Sequence, residues 1–561
     1  MSFTDFYQPG VPTQIELPTE SLVEMFEASI AAAPNHVAMD FFGQTTTYRQ
    51  FGEQVNHAAE GLRRLGVHPG DRVALILPNC PQHLVAFYAA LRLGAIVVEH
   101  NPLYTARELR HMFEDHAARV AICWDAAVPK LSRQPDDIVI DQIVSVNLLD
   151  EFPARLRFAL NLPVPSIRHQ RAALTGKPTG ATTTWKKLLD NRGLDPKFHR
   201  PTVHDIAVIQ YTSGTTGVPK GAMLSHSNLY ANARQGAAWM HGARDGLETF
   251  YAVLPMFHVF GLLLFGIYSV LKQARIHLFP TFDVKLVLAA AKKHPPTVYC
   301  AVPPMFERTA HAAKAAKISL RSAKYCISGA MALPESTVEL WESVSGGLLV
   351  EGYGMTEASP VALGNPFWST RRTGTIGIPF PSTRMKVVDL DDPTVEVPVG
   401  TPGELLIAGP QVFQGYWNNS AETEATLLDG GWLRTGDIVT QDADGFTTIV
   451  DRKKELIITG GFNVSPSEVE AVLRGHPDVE DAAVVSLPDA SVGETVVAAV
   501  IAKPDATIDV ESVRAFCRER LTGYKVPRQI FILDAFPTSM LGKVLRAQVR
   551  QQILDGAEAA S

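Results

Sequence analysis

Short apolar runs alternate with amphipathic stretches from about residue 22 to residue 123. Arg72–Leu77 predicts a buried strand, Pro81–Leu93 predicts a helix, and Ala95–Val98 predicts the next strand. Strands that alternate with helices in this way favour a parallel, doubly wound sheet. The pattern therefore predicts an α/β body for this part of the chain.

The C-terminal part of the chain shows a more compact pattern of strands and helices. Val484–Ser486 and Val496–Ile501 predict strands, and Val510–Leu521 predicts a helix. The charged run Asp451–Lys454 interrupts two apolar runs just before this region. The pattern predicts a small α+β domain that is preceded by a domain boundary.

Length and composition agree with that division. At ~150 residues per domain, the 561 residues suggest about three or four folding units. Hydrophobic residues make up 46% and charged residues 19%, which is typical of a globular protein and excludes disorder of the whole chain. We predict a large N-terminal body of parallel or mixed sheets with helices, residues 1–451, and a small mobile C-terminal domain, residues 452–561.

The longest nearly continuous apolar run, Val259–Leu271, is shorter than the ~18 residues of a membrane-spanning helix.

Charge and cysteine usage exclude several classes of function. The formal net charge of -7 and pI near 6.2 argue against a nucleic-acid-binding protein, which is usually basic. The five cysteines are scattered and form no CxxC or Cys/His cluster, so neither a disulfide framework nor a zinc site is expected. The first 20 residues do not resemble a signal peptide. We therefore predict a cytoplasmic protein with no nucleic-acid partner.

One segment, residues 152–189, has a strongly different charge. It contains no Asp or Glu and seven Lys or Arg residues, interleaved with Leu156, Phe158 and Trp185. Two interpretations remain open: a solvated basic insertion, or an interfacial element that meets the anionic headgroups of the inner membrane face.

The most distinctive local pattern is a Ser/Thr/Gly-rich loop, Tyr211–Gly221, between two apolar runs. Glycines allow a ligand to approach the backbone, while free N–H groups, hydroxyls and a lysine can surround an anion. The loop is not a Walker A motif, because Lys220 is followed by Gly221 and apolar residues. We interpret it as a polyphosphate cradle, with candidate ligands Thr212, Ser213, Gly214, Thr215, Thr216, Gly217 and Lys220.

With this loop, four further segments resemble the adenylate-forming (acyl-activating) enzymes, in the order expected for that family. The segments are Glu351–Glu357, Trp432–Asp437, Asp451–Glu455 with Gly460–Glu468, and Met540–Lys543. Three more are similar to bacterial long-chain fatty acid–CoA ligases: Asn101–Leu109, Gly409–Trp417 and Leu521–Pro527. The resemblance implies that a carboxylate attacks ATP to give acyl-AMP and pyrophosphate, and that coenzyme A then displaces AMP.

The resemblance also implies a nucleotide site. Glu357 and Thr212 would bind Mg²⁺, which prefers oxygen ligands, and Thr356 would donate to the α-phosphate. Tyr353 would offer an aromatic face to adenine, and Asp437 would accept from the ribose hydroxyls. The other ATP-binding residues that it implies are Glu351, Gly352 and Arg452.

The remaining implied roles concern the acyl group, coenzyme A and domain movement. Lys543 would bridge the carboxylate and the α-phosphate during adenylation, and Lys454 would be the hinge between the half-reactions. His258 would gate the acyl channel near the reacting carboxylate. The channel floor and coenzyme A site would use Gly329, Ala330, Gly460 and Gly461. Ile458 stands where some relatives carry a lysine that acts in the thioester step.

Several functions remain possible at this point. A fatty acid–CoA ligase is favoured, but Pro255–Gly261 also resembles ligases of aromatic, cinnamate-like acids. A fatty acyl-AMP ligase that feeds a carrier protein is a third possibility, weakened because no carrier domain follows Lys543. A non-catalytic lipid or nucleotide binding module is disfavoured, because binding alone would not need Lys543.

Overall fold

The computed structural model describes residues 2–135, 137–212, 219–459, 462–489, 493–539 and 542–559. By internal contacts the chain forms two compact units. The larger unit comprises residues 2–384 and 407–433, and the smaller comprises residues 385–406 and the chain from residue 434 onward. The boundary predicted between residues 451 and 452 is a different kind of division, because it separates the parts expected to move during turnover. It stays a prediction.

The larger unit contains the predicted parallel sheet. Neighbouring strands are parallel throughout, except that the last two form an antiparallel pair. In spatial order the strands are Thr183–Thr184, Gln142–Val146, Val120–Trp124, Arg72–Ile76, Ile96–Glu99, Ile206–Thr212 and Lys220–Ser225. The predicted strands and the helix that joins them, observed as Pro81–Arg92, are confirmed to within one or two residues.

A second sheet in the larger unit is parallel in its centre and antiparallel at its ends. Its order is Ile378–Pro379, Val361–Gly364, Leu348–Gly354, Tyr325–Ser328, Val298–Ala301, Thr249–Ala252, Arg275–Leu278, Val37–Phe41 and Gln44–Thr47. Large aromatic side chains cover part of it, and Trp341 stacks on Tyr299 with ring centroids 4.8 Å apart. Ligands of such sheets bind outside the carboxyl ends of the parallel strands.

Helices cover these sheets, and many begin where the sequence supplies a cap. Ser225 accepts from the backbone N–H of Asn228 at the start of His226–Trp239, and Ser21 caps Leu22–Ala32 in the same way. The other α-helices of the larger unit are Tyr48–Arg64, Pro81–Arg92, Ala106–His116, Val128–Leu131, Ala154–Ala159, Pro165–Ala172, Trp185–Leu189, Val284–Ala291, Pro303–Ala316, Glu335–Glu342 and Ser420–Thr426. Short 3₁₀ turns span Phe3–Phe6, Leu148–Glu151 and Thr356–Ala358.

The apolar run singled out in the sequence is a buried helical stretch. It consists of Val259–Gly261, a π-helical segment Leu262–Tyr268, and Ser269–Leu271. Within the described part of the chain, no helix is long and apolar enough to cross a membrane.

A third sheet has the order Arg384–Val388, Gly403–Ala408, Trp432–Gln441 and Leu427–Leu428, and Thr447–Arg452 pairs with Trp432–Gln441. The C-terminal part of the smaller unit has the predicted α+β character. Its sheet order is Phe462–Val464, Ile457–Thr459, Gly493–Ala502 and Val479–Asp489, and Gln529–Ile532 lies parallel to Gly493–Ala502. Its α-helices are Pro466–Arg474, Val510–Arg518 and Arg546–Ala559, and its 3₁₀ turns are Lys453–Glu455 and Gly523–Lys525.

Candidate active site

An apolar pocket lies in the larger unit at the carboxyl ends of two neighbouring parallel strands, Tyr325–Ser328 and Leu348–Gly354. Parallel strands bring residues that follow them to the same edge of the sheet. Residues that the sequence assigned to two different ligands therefore line one cavity. They are His258, Gly329, Ala330, Glu351, Gly352, Tyr353 and Thr356.

Part of the remaining wall is aromatic, and the role of Trp239 and Phe380 in it was not identified from the sequence. Trp239 stacks on Phe380 with ring centroids 4.5 Å apart, and its indole N–H donates to the carbonyl oxygen of Asn365 at 3.0 Å. Behind it, Tyr7 packs edge-on against the indole with centroids 5.0 Å apart. A tryptophan at helical spacing is typical of an ordinary core position, so the sequence carries no signal for this role.

The pocket has room because Gly329 lacks a side chain. A Cβ at this position would lie 3.1 Å from two ring carbons of Phe260 and 3.4 Å from the carbonyl oxygen of Gly352. Contacts that short force a neighbour to move, so a larger residue here would narrow the cavity. The next residue, Ala330, has a φ of 66° in the left-handed region, which turns the chain away from the strand.

Two titratable groups face this apolar environment. Burial lowers the pKa of His258 to about 4, and its Nδ1 has no hydrogen-bond partner among the described residues. Burial raises the pKa of Glu351 to about 8, with a hydrogen bond from the backbone N–H of Leu333 acting in the opposite direction. At neutral pH His258 is therefore neutral and most Glu351 is protonated. His258 is accordingly not a core histidine with both ring nitrogens satisfied.

The candidate metal ligand Glu357 is buried beside this pocket. Its Oε1 accepts a hydrogen bond of 2.7 Å from the hydroxyl of Tyr416. The ammonium of Lys220 lies 5.6 Å from the centroid of the same tyrosine ring and forms an ion pair with Glu422. The sequence contained Tyr416 within its Gly409–Trp417 motif, but did not assign it a role.

Two of the predicted phosphate-binding residues flank the Ser/Thr/Gly loop. Thr212 ends one strand, Lys220 begins the next, and the two residues are paired in register. The loop thus starts and ends at one point of the sheet edge. The predicted ligands between them lie outside the described residues: Ser213, Gly214, Thr215, Thr216 and Gly217. The predicted coenzyme A residues Gly460 and Gly461 also lie outside them.

The smaller unit brings together a second set of predicted residues. Asp437 and Arg452 lie opposite each other on antiparallel strands, and Arg452 Nε is 2.9 Å from Asp437 Oδ1. Asp437 is buried, and its backbone N–H donates to Thr435 Oγ1 at 3.1 Å. The geometry therefore presents a carboxylate whose orientation is fixed by a neighbouring cation.

Lys543 belongs to the same electrostatic cluster. Desolvation lowers its pKa to about 8, the charge of Arg452 acts in the same direction, and Asp437 opposes both. Its backbone is held by a turn, because the Lys543 N–H donates to Ser539 Oγ and the Ser539 N–H donates to the Lys543 carbonyl oxygen. Motifs far apart in sequence thus meet around Asp437.

The predicted hinge segment is fastened to the smaller unit on either side of Lys454. Asp451 is buried and accepts from the backbone N–H of Ser467 at 3.0 Å, near the start of Pro466–Arg474. Lys453 lies 3.3 Å from Glu404, and Arg546 pairs with Glu455. The side chain of Ile458 is 56% exposed, so it contributes little to the packing of the smaller unit.

Comparison with known proteins gives the class that this fold and site define. The model of the AMP-binding enzyme family matches residues 26–417, and that of the AMP-binding enzyme C-terminal domain matches residues 468–543. The chain belongs to the AMP-binding enzyme family.

Particular relatives resemble nearly the whole chain. It is 37% identical over 554 residues to a long-chain-fatty-acid–CoA ligase of Bacillus subtilis, covering 97% of each chain. It is 32% identical to a feruloyl-CoA synthase of Amycolatopsis, covering 93% of this chain and 96% of the other. Among solved structures, ATP-bound MatB from Rhodopseudomonas palustris superposes with a TM-score of 0.79 at 26% identity, covering 95% and 99% of the two chains. The anthranilate CoA ligase AuaEII in complex with anthranoyl-AMP has a TM-score of 0.80 at 25% identity and full coverage of both.

Proposed function

We propose that this protein is an ATP-dependent ligase that converts a fatty acid to its coenzyme A thioester through an acyl-AMP intermediate. The observation that carries the proposal is the single cavity lined by residues assigned separately to the acyl group and to the nucleotide. A relative whose name is long-chain-fatty-acid–CoA ligase, matched over 97% of both chains, supports it. The five free, buried cysteines fit a cytoplasmic location.

In the adenylation step a carboxylate oxygen of the acid attacks the α-phosphorus of ATP, and pyrophosphate leaves. Like charges must be neutralised for this approach, so preorganised donors and cations lower the barrier. We assign Thr356 and Lys543 to the α-phosphate, and Lys220 with the loop after Thr212 to the outer phosphates. Tyr353, Glu351 and Gly352 form the adenine segment, and Asp437 and Arg452 contact the ribose.

The site also fits a magnesium ion carried by ATP. Glu357 supplies a buried carboxylate, and Thr212 supplies a hydroxyl; both are oxygen ligands, which Mg²⁺ prefers. No group of three or more His, Cys, Asp or Glu that could hold a metal occurs among the described residues. The ion would therefore take its other ligands from phosphate oxygens and water, and it would supply positive charge at the phosphates.

In the second step coenzyme A reacts with acyl-AMP, the mixed anhydride formed in the first step. The coenzyme A thiolate attacks the acyl carbon, the bond to the AMP oxygen breaks, and AMP leaves. We assign Lys454 as the hinge about which the smaller domain would rotate between the two half-reactions. We assign Gly460 and Gly461 to coenzyme A binding. Because Ile458 is apolar, the charges that orient the thiol must come from other residues.

An apolar pocket lined by aliphatic and aromatic side chains suits an alkyl chain, and we assign His258, Gly329 and Ala330 to its reacting end. The second candidate substrate is a cinnamate-like acid, which the relative named feruloyl-CoA synthase and the flat Trp239 and Phe380 rings favour.

The test is a panel of fatty acids from four to eighteen carbons together with cinnamate and ferulate. ATP–pyrophosphate exchange reports the first step, and coenzyme A-dependent AMP release reports the whole reaction. We expect both with long-chain acids. Exchange without thioester formation would identify an acyl-AMP ligase, and a preference for ferulate would establish the aromatic alternative.

A further inference from the structure

The basic segment identified in the sequence is firmly attached at both ends. Phe152 is buried and stacks on Phe42 with ring centroids 4.3 Å apart. At the other end, the indole N–H of Trp124 donates to the carbonyl oxygen of Leu174 at 3.0 Å, and the Gly176 N–H donates to Asp125 at 2.7 Å. The segment therefore leaves the larger unit and returns to it at two defined points.

Between the anchors, two short helices expose apolar side chains. Phe158, in the helix Ala154–Ala159, is 72% exposed, and Leu162 and Val164 in the following turn are also exposed. The second helix, Pro165–Ala172, has no buried residue. Exposed aromatic and aliphatic groups grouped along a short segment mark an interaction surface rather than a core.

The charge of this surface has one sign. Arg155, Arg157, Arg168 and Arg171 are exposed, and none of them forms an ion pair with another residue of the described part of the chain. Farther along the segment, Trp185 is buried and Lys186 pairs with Asp150 at 2.6 Å. The surface available to a partner therefore narrows from residues 152–189 to residues 154–172.

We propose that residues 154–172 dock the protein on an anionic phospholipid bilayer. The arginines would meet the headgroups, and Phe158, Leu162 and Val164 would enter the acyl boundary. A membrane satisfies both features of the surface, whereas a nucleic acid would leave the aliphatic tips exposed to water. The proposal rests on the geometry of this segment and holds whichever acid the pocket accepts.

The test is sedimentation of the full chain with vesicles of phosphatidylcholine alone or of equal parts phosphatidylcholine and phosphatidylglycerol. We expect binding to the anionic vesicles at low salt and its loss at 0.5 M salt, since salt screens the attraction. Changing the four arginines together to Ser should reduce binding at least tenfold, and Phe158→Ser should also weaken it. A matched variant changes four other exposed lysines to Ser, with the same loss of charge: Lys285, Lys292, Lys293 and Lys314.

The matched lysine variant should bind like the wild type, and thermal unfolding should show that all variants are folded. Equal binding of the wild type and the arginine variant would overturn the proposal, as would an equal loss in the lysine variant. Full retention by Phe158→Ser would show that no apolar group enters the bilayer and would also overturn it. Binding to a single-stranded RNA without vesicle binding would assign the arginines to a different polyanion.

Discussion

The hydroxyl of Tyr416 donates a hydrogen bond of 2.7 Å to Oε1 of Glu357, 59 positions earlier in the chain. Burial and then the charge of Glu357 raise the pKa of Tyr416 well above its ordinary value of 10, so the phenol stays protonated and remains a donor. The tyrosine therefore fixes the orientation of the one carboxylate that we assign to the magnesium ion.

Tyr416→Phe removes this donor and keeps the ring. We expect the magnesium concentration that gives half-maximal pyrophosphate exchange to rise severalfold. The reason is that the loss of a hydrogen bond to the buried Glu357 carboxylate costs about 1–3 kcal/mol, and this carboxylate is the assigned magnesium ligand. Saturating magnesium should restore much of the activity. Tyr299→Phe is the matched control, since that hydroxyl lies 3.0 Å from Thr309 in a core away from Glu357. An unchanged magnesium dependence in Tyr416→Phe would contradict the assignment.

Lys543→Ala should stop adenylation and largely spare the conversion of supplied acyl-AMP to acyl-CoA. The lysine charge stabilises only the first transition state in our assignment, and losing one preorganised contact costs about 10²–10³ in rate. Single-turnover assays of each half-reaction measure the effect separately. Lys503→Ala is the control, because Lys503 lies in the same unit and donates to the carbonyl oxygen of Pro477. Equal losses in both half-reactions would refute the role.

The same lysine should give adenylation a characteristic pH profile. Its lowered pKa of about 8 means that the required ammonium is lost as the pH rises through 8. We expect kcat/KM for ATP to fall above pH 8 in pyrophosphate exchange, while the thioester step continues. Lys543→Arg keeps its charge at these pH values and should move the decline to higher pH. If kcat/KM of Lys543→Arg fell with the same midpoint pH as that of the wild type, the decline would belong to the titration of another group.

The sequence predicted those parts of the molecule that depend on local pattern. The strand Arg72–Ile76 and helix Pro81–Arg92 follow from periodicity and a proline at the helix start, and the structure contains them. Asp437 and Arg452 were chosen from separate motifs, and antiparallel pairing places them in register. A sequence motif can therefore identify a site residue correctly when backbone pairing determines which residue lies next to it.

Side-chain partners from distant elements could not be predicted in this way. Trp239 meets Phe380, 141 positions later, and both are apolar residues whose local pattern fits any core. The raised pKa of Glu351 likewise depends on what surrounds it once the strands are assembled. Burial and desolvation are properties of the packed fold, and a single sequence does not contain them explicitly.

Glu351 should make stability depend on pH. Its folded pKa of about 8 lies above the ordinary value of 4.5, so the folded state holds a proton that the unfolded state releases. The stabilisation is complete below pH 4.5 and is lost as the pH rises from 4.5 through 8, by on the order of 5 kcal/mol. Glu351→Gln should therefore gain stability relative to the wild type at pH 8.5 and not at pH 4.5. Parallel melting temperatures of the two proteins across this range would disprove the shift.

Trp239→Leu should change which acids the enzyme prefers. The indole forms the pocket wall against Phe380, so replacing it with the smaller Leu side chain enlarges the cavity. A long acid can fill the added space, whereas a short acid only loses its contact with the indole. One methylene in an apolar pocket is worth about 1–3 kcal/mol, so the ratio of kcat/KM for long over short acids should rise about tenfold or more. The matched control is Trp341→Leu, which removes an equally buried indole that stacks on Tyr299 outside the pocket. That variant should lose stability without changing the ratio. If the wild type activates no fatty acid, the proposed function fails. If the wild type does so and Trp239→Leu keeps the wild-type ratio, only the role of Trp239 is wrong.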